Sequence, residues 1–454
     1  MEKENPSPVE IGTARQLFVD DFWIDRASGV QRILHQPVQR EITLAPEYEW
    51  EAGGLSYLTT FVDGGKIRGW YRADPLLQDA DARSITCYAE SDDGIHWRKP
   101  ELGLVNFQGS KANNIVWAGP GINLAPFKDG NPQCLPDERY KALIRIERVL
   151  YALVSADGLS WRLLQQEPVL TDYPFDTLNR PFWDSWRGEY VAYCRGVGGR
   201  GSGNFFDGVR WIRRTTSADF RHWAPLLDID CGDTPWEHLY TNSCVQYERA
   251  PGTYLMFPSR FVTGRSPDPD WTYDQGVSDI VFMASRDGLH FDRSFMEAFI
   301  RPGLDFGNWH DRGIYFEVGL LETSPTQLSM YGMENAHLPT QRIRRYTLRP
   351  DGFVSVNSGY GGGEFTTRPL IFAGHRLSLN YSTSAVGSVR VEVQDALGQP
   401  LEGLALDDCP ERYGDQIDGV VGWSEGGDLG RWEGTVVRLR FVLKDADLYA
   451  FKFS

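Results

Sequence analysis

The segment SDDGIHW, Ser91 to Trp97, is the strongest indication of the fold, because the chain repeats it at a nearly constant interval. The related segments are SADGLSW (Ser155 to Trp161), SADFRHW (Ser217 to Trp223), SRDGLHF (Ser285 to Phe291) and the degenerate RPDGFV (Arg349 to Val354). The steps are 64, 62, 68 and 64 residues between the successive aspartates Asp93, Asp157, Asp219, Asp287 and Asp351. A structural unit of this length is therefore present five times.

Each copy predicts a tight turn between two strands. Asp-Gly favours a turn with positive φ, the Ser and Asp side chains cap the turn amides, and the aromatic residue packs on the next strand. Another alternating pair precedes each copy, for example Leu55 to Asp74 and Leu239 to Phe261. Each repeat therefore contributes four antiparallel strands.

Four antiparallel strands repeated five times predict an all-β fold, a five-bladed β-propeller over residues 1–360. The fifth blade is short, and we expect the early segment Gln16 to Asp25 to complete it and close the ring. After Gly361 to Gly363 the period stops, and alternating segments separated by turn residues continue to the end of the chain. Residues 361–454 are therefore predicted to form a separate, self-contained β-sandwich.

The net charge and the hydropathy of the sequence argue against two classes of partner, nucleic acids and membranes. The 454 residues carry a net charge of −16, so a nucleic-acid surface would have to be built against the overall field. No apolar run reaches the roughly 18 residues of a membrane helix, and Met1 to Glu10 lacks the basic start and apolar stretch of a signal peptide. We expect a soluble protein without nucleic-acid or membrane partners, either cytoplasmic or exported from a longer precursor.

The six cysteines lie far apart, without a CxxC pair, and indicate buried thiols, with a Cys231–Cys244 bridge as the alternative. Neither His238 nor His310 has a second histidine three to five residues away. We therefore expect no metal and no cofactor. His96, His222 and His290 belong to the repeated turns and should lie at the surface.

The inner strands of a propeller converge on a central funnel, so polar residues at the starts of inner strands and the ends of second strands share one mouth. The candidates for substrate binding are Trp50, Arg72, Asp129, Asn179, Arg180, Arg195, Trp236, His238, Tyr240, Arg260, Trp309, His310, Asp311 and Arg312. The candidate catalytic carboxylates are Glu237, Asp176, Asp20, Asp21 and Glu51. Asp74, Asn131, Asn242, Glu334 and Asn335 occupy further positions of this kind.

Carboxylates from different blades, placed among arginines and aromatic rings, suit glycosidic cleavage. Glu237 is the predicted general acid, because apolar neighbours at the start of the fourth inner strand would favour its protonated form. Asp176 would bind hydroxyls and stabilise positive charge at the anomeric carbon. Asp20, Asp21 or Glu51 would be the second carboxylate, acting as nucleophile or base.

Five blades followed by a β-sandwich resemble the invertase and levanase family of glycoside hydrolases (family 32) and its arabinanase-like relatives (family 43). FVDD (Asp20, Asp21) or WE (Trp50, Glu51) would stand where that family has its first carboxylate. Asp176 in FDTLNRPFWD would match its second. Glu237 in WEHLYTN would match its acid, with His238 in place of a cysteine. The resemblance implies a glycosidase with a carbohydrate substrate.

The predicted function is therefore a glycoside hydrolase that acts on an oligosaccharide or a glycan terminus. A propeller that binds carbohydrate without cleaving it is the alternative, because stacking aromatic rings and arginines serve recognition equally well. Another enzyme class, such as a lyase, epimerase or phosphorylase, or a scaffold also stays open. The sequence contains no GxSxG, phosphate-binding or dinucleotide-binding motif in a strand-to-helix context.

Overall fold

A computed structural model describes residues 7–75, 84–172, 175–198, 208–265, 276–310, 312–424, 426 and 428–454. These residues form strands and short 3-10 helices, as the all-β prediction requires. The 3-10 helices are Glu49–Glu51, Pro136–Glu138, Phe306–Trp309, Leu406–Asp408 and Gly430–Trp432. No helix within these ranges has the length and apolar character needed to cross a membrane.

The chain divides into two compact units. The first combines the described part of Met1–Gln36 with Glu248–Pro251 and Arg349–Ser454, and the second consists of Pro37–Tyr247 and Gly252–Leu348. The predicted boundary near residue 360 therefore differs from the observed division. Residues before Pro37 belong to the same unit as the C-terminal strands.

Within the described residues, the second unit contains six antiparallel sheets. The two short ones share the chain between His238 and Asp292 and are counted together as sheet 4, which gives sheets 1 to 5 in chain order. Sheet 1 consists of Leu55–Asp63, Lys66–Ala73, Ile85–Ser91, Trp97–Arg98 and Ile115–Trp117. Sheet 2 consists of Ile122–Lys128, Tyr140–Ile146, Val149–Ser155 and Arg162–Leu163. Sheet 3 consists of Arg180–Asp184, Glu189–Gly198, Val209–Ser217 and Leu227–Asp228.

Sheet 4 is interrupted and pairs as two ladders along the same chain segments. One ladder contains His238–Leu239, Ser259–Thr263 and Gly276–Ile280. The other contains Val245–Gln246, Tyr254–Met256, Met283–Ser285 and Phe291–Asp292. Sheet 5 consists of Ile314–Phe316, Leu321–Ser324, Gln327–Glu334, Arg342–Leu348 and the early strand Val38–Leu44.

The early strand of sheet 5 corrects one expectation. Val38–Leu44 pairs with Arg342–Leu348, whereas Gln16–Leu17 pairs with the C-terminal strand Val436–Phe453. The prediction that Gln16 to Asp25 completes the fifth repeat is therefore wrong. An N-terminal strand does pair with that repeat, but a later one.

Four of the five repeated turns have the same hydrogen bonds. In the first, Ser91 Oγ donates to Asp93 Oδ1 at 3.0 Å and accepts the Gly94 amide at 2.9 Å, while Asp93 Oδ1 also accepts the amides of Ile95 and His96. The turns at Ser155, Ser217 and Ser285 repeat this arrangement. The imidazoles of His96, His222 and His290 are mostly exposed, as expected.

The fifth copy departs from this pattern. Asp351 is fully buried, and its carboxylate binds Arg15 at 3.0 Å and Arg249 at 2.8 Å. The strand that follows, Val354–Ser358, joins the sheet of the first unit rather than sheet 5. Its aspartate is therefore not equivalent to the other four.

Ten strands of the described chain form the sheet of the first unit. They are Val9–Gly12, Gln16–Leu17, Ile24–Ser28, Gln31–Leu34, Val354–Ser358, Gly363–Thr367, Leu370–Phe372, Leu377–Asp395, Asp415–Val420 and Val436–Phe453. Phe18 and Trp23 lie in one apolar core with Phe441 and Phe451. The C-terminal strands are therefore not self-contained, because N-terminal residues complete both their sheet and their core.

The six cysteines are free thiols, so the structure does not contain the alternative Cys231–Cys244 bridge. Five of them are buried, and Cys134 is half-buried.

We predict that Ser91→Ala and Ser155→Ala each lower the free energy of unfolding by about 1 kcal/mol or more, because a buried glycine amide loses its acceptor and an aspartate loses a donor. Urea unfolding of the full chain measures the effect. Ser7→Ala changes an exposed serine outside the turns and serves as the control. Unchanged stability in both turn variants would contradict the role given to the hydroxyl.

The pH dependence of stability provides a second test. Burial opposes the ionisation of Asp287, but hydrogen bonds from His290, Leu289 and Ser285 outweigh it and lower the pKa to about 2 from 3.8. The ionised Asp287 side chain therefore stabilises the folded state fully at a pH above the pKa of Asp287 in the unfolded chain. This stabilisation is lost as the pH falls through the lower pKa of Asp287 in the folded protein. The difference in unfolding free energy between the parent and Asp287→Asn should grow as pH falls through the titration of His290, whose pKa Asp287 raises, and should shrink below about pH 4. A constant difference down to the lowest usable pH would argue against this.

Candidate active site

One apolar cluster contains one residue for each of the five sheets. Each of these residues lies in a first strand of its sheet or in the segment next to that strand. Ala125, Leu178 and Val318 are buried together, and Tyr57 and Val245 pack against them. The first strands of sheets 1 and 5 also touch directly, because Thr59 and Val318 form a parallel bridge. The first strands, or the segments next to them, therefore lie close together in space.

Beside this cluster, Tyr57, Arg72 and Asp176 interact. The Tyr57 hydroxyl lies 3.0 Å from Thr177 Oγ1, and burial together with the nearby charges of Tyr240 and Asp176 raises the pKa of Tyr57. Burial opposes the charge of Arg72, but Asp74, Tyr57 and Asp176 raise the pKa of Arg72 above its ordinary value. Arg72 Nε donates to Asp74 Oδ1 at 2.9 Å. Arg72 thus has carboxylates of two different sheets as neighbours.

Asp176 is one of two partly exposed acidic groups in this region, and the other is Asp74. Its side chain is 31% exposed, and the nearest cation is Arg145, whose Nη1 lies 3.8 Å from Asp176 Oδ1. The main chain around it is fixed, because Asn179 Nδ2 donates to the Asp176 carbonyl at 2.5 Å. A carboxylate held in this way is available to a ligand.

Arginines surround Tyr240. The Arg195 guanidinium carbon lies 4.2 Å from the centre of the Tyr240 ring, and Arg195 Nη1 donates to the carbonyls of Tyr240 at 2.7 Å and Thr177 at 3.2 Å. Arg312 Nη1 donates to the Tyr240 hydroxyl at 3.0 Å. Arg210 lies 5.4 Å from the same ring. Stacking on an aromatic ring stabilises each of these cations.

The Tyr315 ring lies near both the residues around Tyr57 and the arginines around Tyr240. Its ring centre lies 6.0 Å from that of Tyr57 and 5.6 Å from that of Tyr240. We call Tyr57, Arg72, Asp176, Arg195, Tyr240, Arg312 and Tyr315 the mouth cluster. It combines tyrosine rings, guanidinium donors and one accessible carboxylate.

His238 lies next to this cluster, where its Nδ1 atom contacts Arg210. Its Nδ1 accepts the Arg210 amide at 3.2 Å. Burial and the charges of Arg210 and Arg195 lower the pKa of His238 below 6.5. These neighbours therefore favour the uncharged form of the His238 imidazole.

Glu237 forms ion pairs with two arginines. One carboxylate oxygen binds Arg293, whose side chain is fully buried, and the other lies 3.3 Å from Arg260. Arg260 also forms a pair with Asp279 at 2.6 Å. Loss of a carboxylate that neutralises a buried cation leaves that charge uncompensated. The partners of Glu237 are therefore cations that it helps to hold in place, whereas the predicted general acid was expected to have apolar neighbours.

The predicted second carboxylates lie elsewhere. Glu51 is fully buried and accepts from Lys99 at 2.8 Å and from the Tyr71 hydroxyl at 2.5 Å. Asp20 and Asp21 belong to the first unit, where Asp20 Oδ1 accepts the Phe22 amide at 3.3 Å. The expectation that they join the fifth repeat fails together with the expected pairing of Gln16 to Asp25.

Most other candidates have structural partners. Trp50 Nε1 donates to Asn114 Oδ1 at 3.0 Å, Asp129 binds Lys141 at 2.6 Å, and Arg180 is buried and donates to the Pro126 carbonyl at 3.0 Å. Burial lowers the pKa of Arg180 to about 10.

The remaining aromatic and imidazole candidates differ in exposure. Trp236 is half exposed and lies 4.2 Å from Trp211, measured between ring centres, while Trp309 donates to the Gly303 carbonyl at 2.9 Å. His310 is buried against Phe306. Asp311 lies outside the described residues.

Sequence reasoning missed Tyr57, Arg145 and Tyr315. Tyr57 and Tyr315 lie on or beside the first strands of their sheets, so an alternating pattern hides them among core residues. Sequence reasoning also missed Glu317, which is buried and whose pKa burial raises well above its ordinary value. Among the described residues, no group of three or more His, Cys, Asp and Glu side chains could hold a metal ion.

We predict that His238 titrates below 6.5 and that His290, whose hydrogen bond to Asp287 raises its pKa, titrates above 6.5. Histidine proton resonances followed by NMR over pH 5 to 8, a range of about three units around the usual histidine value, measure both. His238→Asn and His290→Asn assign the signals. Equal titration of the two imidazoles would contradict the described environments.

Comparison with known proteins gives limited matches. No protein-family model matches the chain. Two curated proteins from strains of Mycobacterium tuberculosis, both described as uncharacterized, are 26% identical to it over 145 residues, which is 31% of this chain and 41% of each relative. The chain thus matches about two fifths of the length of these relatives.

Solved structures that resemble the chain include a glycoside hydrolase, at a TM-score of 0.46 and 15% identity, covering 69% of this chain and 92% of that one. An N-acetylgalactosamine deacetylase from F. plautii in complex with blood group B trisaccharide has a TM-score of 0.46 and 13% identity, covering 71% and 96%. The β-1,2-mannobiose phosphorylase from Listeria innocua has a TM-score of 0.46 and 11% identity, covering 69% and 96%. At these values the similarity assigns no activity to this chain.

Proposed function

We propose that sheets 1 to 5 are the blades of a five-bladed β-propeller and that the ten-stranded sheet bends into a β-sandwich. The propeller is supported by the apolar cluster to which every sheet contributes, and by the bridge between sheets 1 and 5. The sandwich is supported by the register shift between Thr383 and Ser388 and by the single core shared by both halves of the long strands. The mouth cluster then lies where five inner strands begin.

We further propose that the protein is a glycosidase that acts on an oligosaccharide or a glycan terminus at this mouth. The composition of the mouth cluster is the observation that carries the proposal. Tyrosine faces pack against the apolar faces of sugar rings, and the guanidinium and phenol groups hydrogen-bond to hydroxyls. A carboxylate beside them can stabilise the positive charge that develops at the anomeric carbon.

In this mechanism Asp176 is the carboxylate that faces the anomeric carbon. Asp74, whose Oδ1 accepts from Arg72 Nε at 2.9 Å, supplies the second carboxyl group. A separation near 5 Å between the two carboxyl groups implies retention of configuration, and about 6.5 to 9.5 Å leaves room for the water of an inverting reaction. Tyr57 keeps its proton, because its pKa is raised, and serves as a hydroxyl donor.

Glu237 has a different role in this proposal. It holds the buried Arg293 and the partly buried Arg260, and so supports the start of sheet 4 next to His238. The substrate-binding role stays with Arg72, Arg195, Tyr240 and Arg312 of the mouth cluster. Trp50, Asp129 and Arg180 support the framework.

The experiment compares Asp176→Asn with Glu237→Gln on a panel of aryl-glycosides and neutral oligosaccharides. Asp176→Asn should lower kcat by at least a hundredfold with little change in the unfolding midpoint, since a positioned carboxylate contributes about 10² to 10⁴ in rate. Glu237→Gln should lower the midpoint, because it leaves a buried arginine unpaired. Asp137→Asn, an exposed aspartate, is the matched control.

Parental turnover by Asp176→Asn would refute its catalytic role. If a stable Glu237→Gln variant lost a hundredfold in kcat, the acid role predicted for Glu237 would be restored. Binding of the oligosaccharides without release of sugar would favour the carbohydrate-binding alternative.

A further inference from the structure

The ten-stranded sheet has a polar face that the proposed active site does not use. Strand pairing places Arg26 opposite Thr366, Thr366 opposite Arg440, and Arg440 opposite Glu392. A parallel row contains Ser28 and Glu364. Because side chains alternate along a strand, these residues share one face, and the apolar core packs on the other.

A cleft of about 580 Å³ lies on this face. Its lining includes Arg26, Glu364, Thr366, Gln394, Gln399 and Arg440. A site of this volume is large enough for a small ligand. Four adjacent strands span about 14 Å, which suits a short oligosaccharide rather than a single sugar.

The loop at residues 395–399 forms one side of the cleft and has a fixed shape. Asp395 Oδ1 accepts the amides of Leu397 and Gln399, each at 2.8 Å, and the Asp395 amide donates to the Gln399 carbonyl at 2.8 Å. Gly398 has a φ of 84°, which favours glycine. The cleft is therefore preformed, which lowers the entropy cost of binding.

The charges in and below the cleft balance one another. Arg440 binds Glu364 at 2.6 Å and lies 3.5 Å from Glu392, and Arg438 binds Asp25 at 2.6 Å. Arg26 extends into solvent, with its Nε 4.0 Å from Asp25. Three cations thus face three carboxylates, so an ionic ligand would gain little from the site.

Hydrogen-bonding groups remain available. Within the described ranges, the Ser28 and Thr366 hydroxyls and the side-chain amide of Gln399 have no hydrogen-bond partner, and all three groups are uncharged. Paired arginines and carboxylates can still donate to or accept from hydroxyls at their outer edges. Donors and acceptors thus alternate over the surface, which matches a ligand that carries many hydroxyls.

We propose that this cleft is a second carbohydrate-binding site, specific for neutral oligosaccharides and separate from the mouth cluster. It holds a glycan chain by hydrogen bonds across the face of the sheet. The proposal does not depend on the activity proposed for the mouth cluster, because it concerns other residues and binding alone.

Hydrogen–deuterium exchange of the full chain, read by mass spectrometry, tests the proposal. The probes are cellotetraose, xylotetraose and mannotetraose, with trigalacturonate as the anionic comparison, all in the Asp176→Asn background to prevent cleavage. At least one neutral probe should slow exchange at residues 364–367 and 395–399. Protection only at the residues around Asp176, protection only by trigalacturonate, or no protection at all would overturn the proposal.

A double variant, Thr366→Val with Gln399→Ala, removes two uncharged hydrogen-bonding groups at the surface of the sheet. It should weaken binding of the protecting probe about tenfold, the loss expected for two hydrogen bonds of ordinary strength. Lys444→Ala, an exposed position in the same unit, is the control and should bind as the parent does. Parental affinity in a double variant with an unchanged unfolding midpoint would also overturn the proposal.

Discussion

The second unit depends on a hydrogen bond between a turn glycine and an aromatic donor of the neighbouring sheet. Trp70 Nε1 of sheet 1 donates to the Gly158 carbonyl of sheet 2 at 2.7 Å, and Tyr193 of sheet 3 donates to Gly288 of sheet 4 at 2.6 Å. Tyr331 of sheet 5 donates to Gly94 of sheet 1 at 2.7 Å. The last of these bonds joins the final sheet to the first.

Glycine is required in these turns for two reasons. Gly94, Gly158 and Gly288 have φ values of 74°, 77° and 80°, which side chains disfavour. A Cβ at Gly94 or Gly288 would also lie 2.9 Å from the tyrosine hydroxyl that donates to the same residue. The third turn has Phe220 instead, at a φ of 64°, and contacts sheet 2 by packing its ring 5.6 Å from that of Phe127. An apolar contact thus replaces the hydrogen bond at this junction.

The parts of the fold that the sequence predicts well are those built from local contacts. Each turn is complete within seven residues, so Ser91 to Trp97 carries all the information its geometry needs. Strand partners far apart in sequence carry no such signal. Gln16–Leu17 and Val38–Leu44 are both short early strands, and only the tertiary structure decides which one pairs with Arg342–Leu348.

The same limit applies to the candidate site. Residue type and strand position identified Arg72, Asp176, Arg195, Tyr240 and Arg312, which the structure brings together. They did not reveal that Glu237 is paired with Arg293, a residue 56 positions away, or that Glu51 accepts from Lys99. Carboxylates that the sequence suggests as catalytic groups are thus paired with cations from distant segments of the chain.

The way in which Arg195 is held explains the chemical character of the mouth cluster. Arg195 is buried and, in the part of the chain that the structure describes, its recorded contacts are two main-chain carbonyls and the Tyr240 ring, and its Nε has no hydrogen-bond partner. Its charge is therefore stabilised without a carboxylate, and its field helps to lower the pKa of His238. Donors consequently predominate around Tyr240, while Asp176 is an accessible acceptor beside them. In the proposed reaction, a polyhydroxyl substrate satisfies such donors through its oxygen atoms, so that the Asp176 carboxylate stays available to the carbon at which positive charge develops.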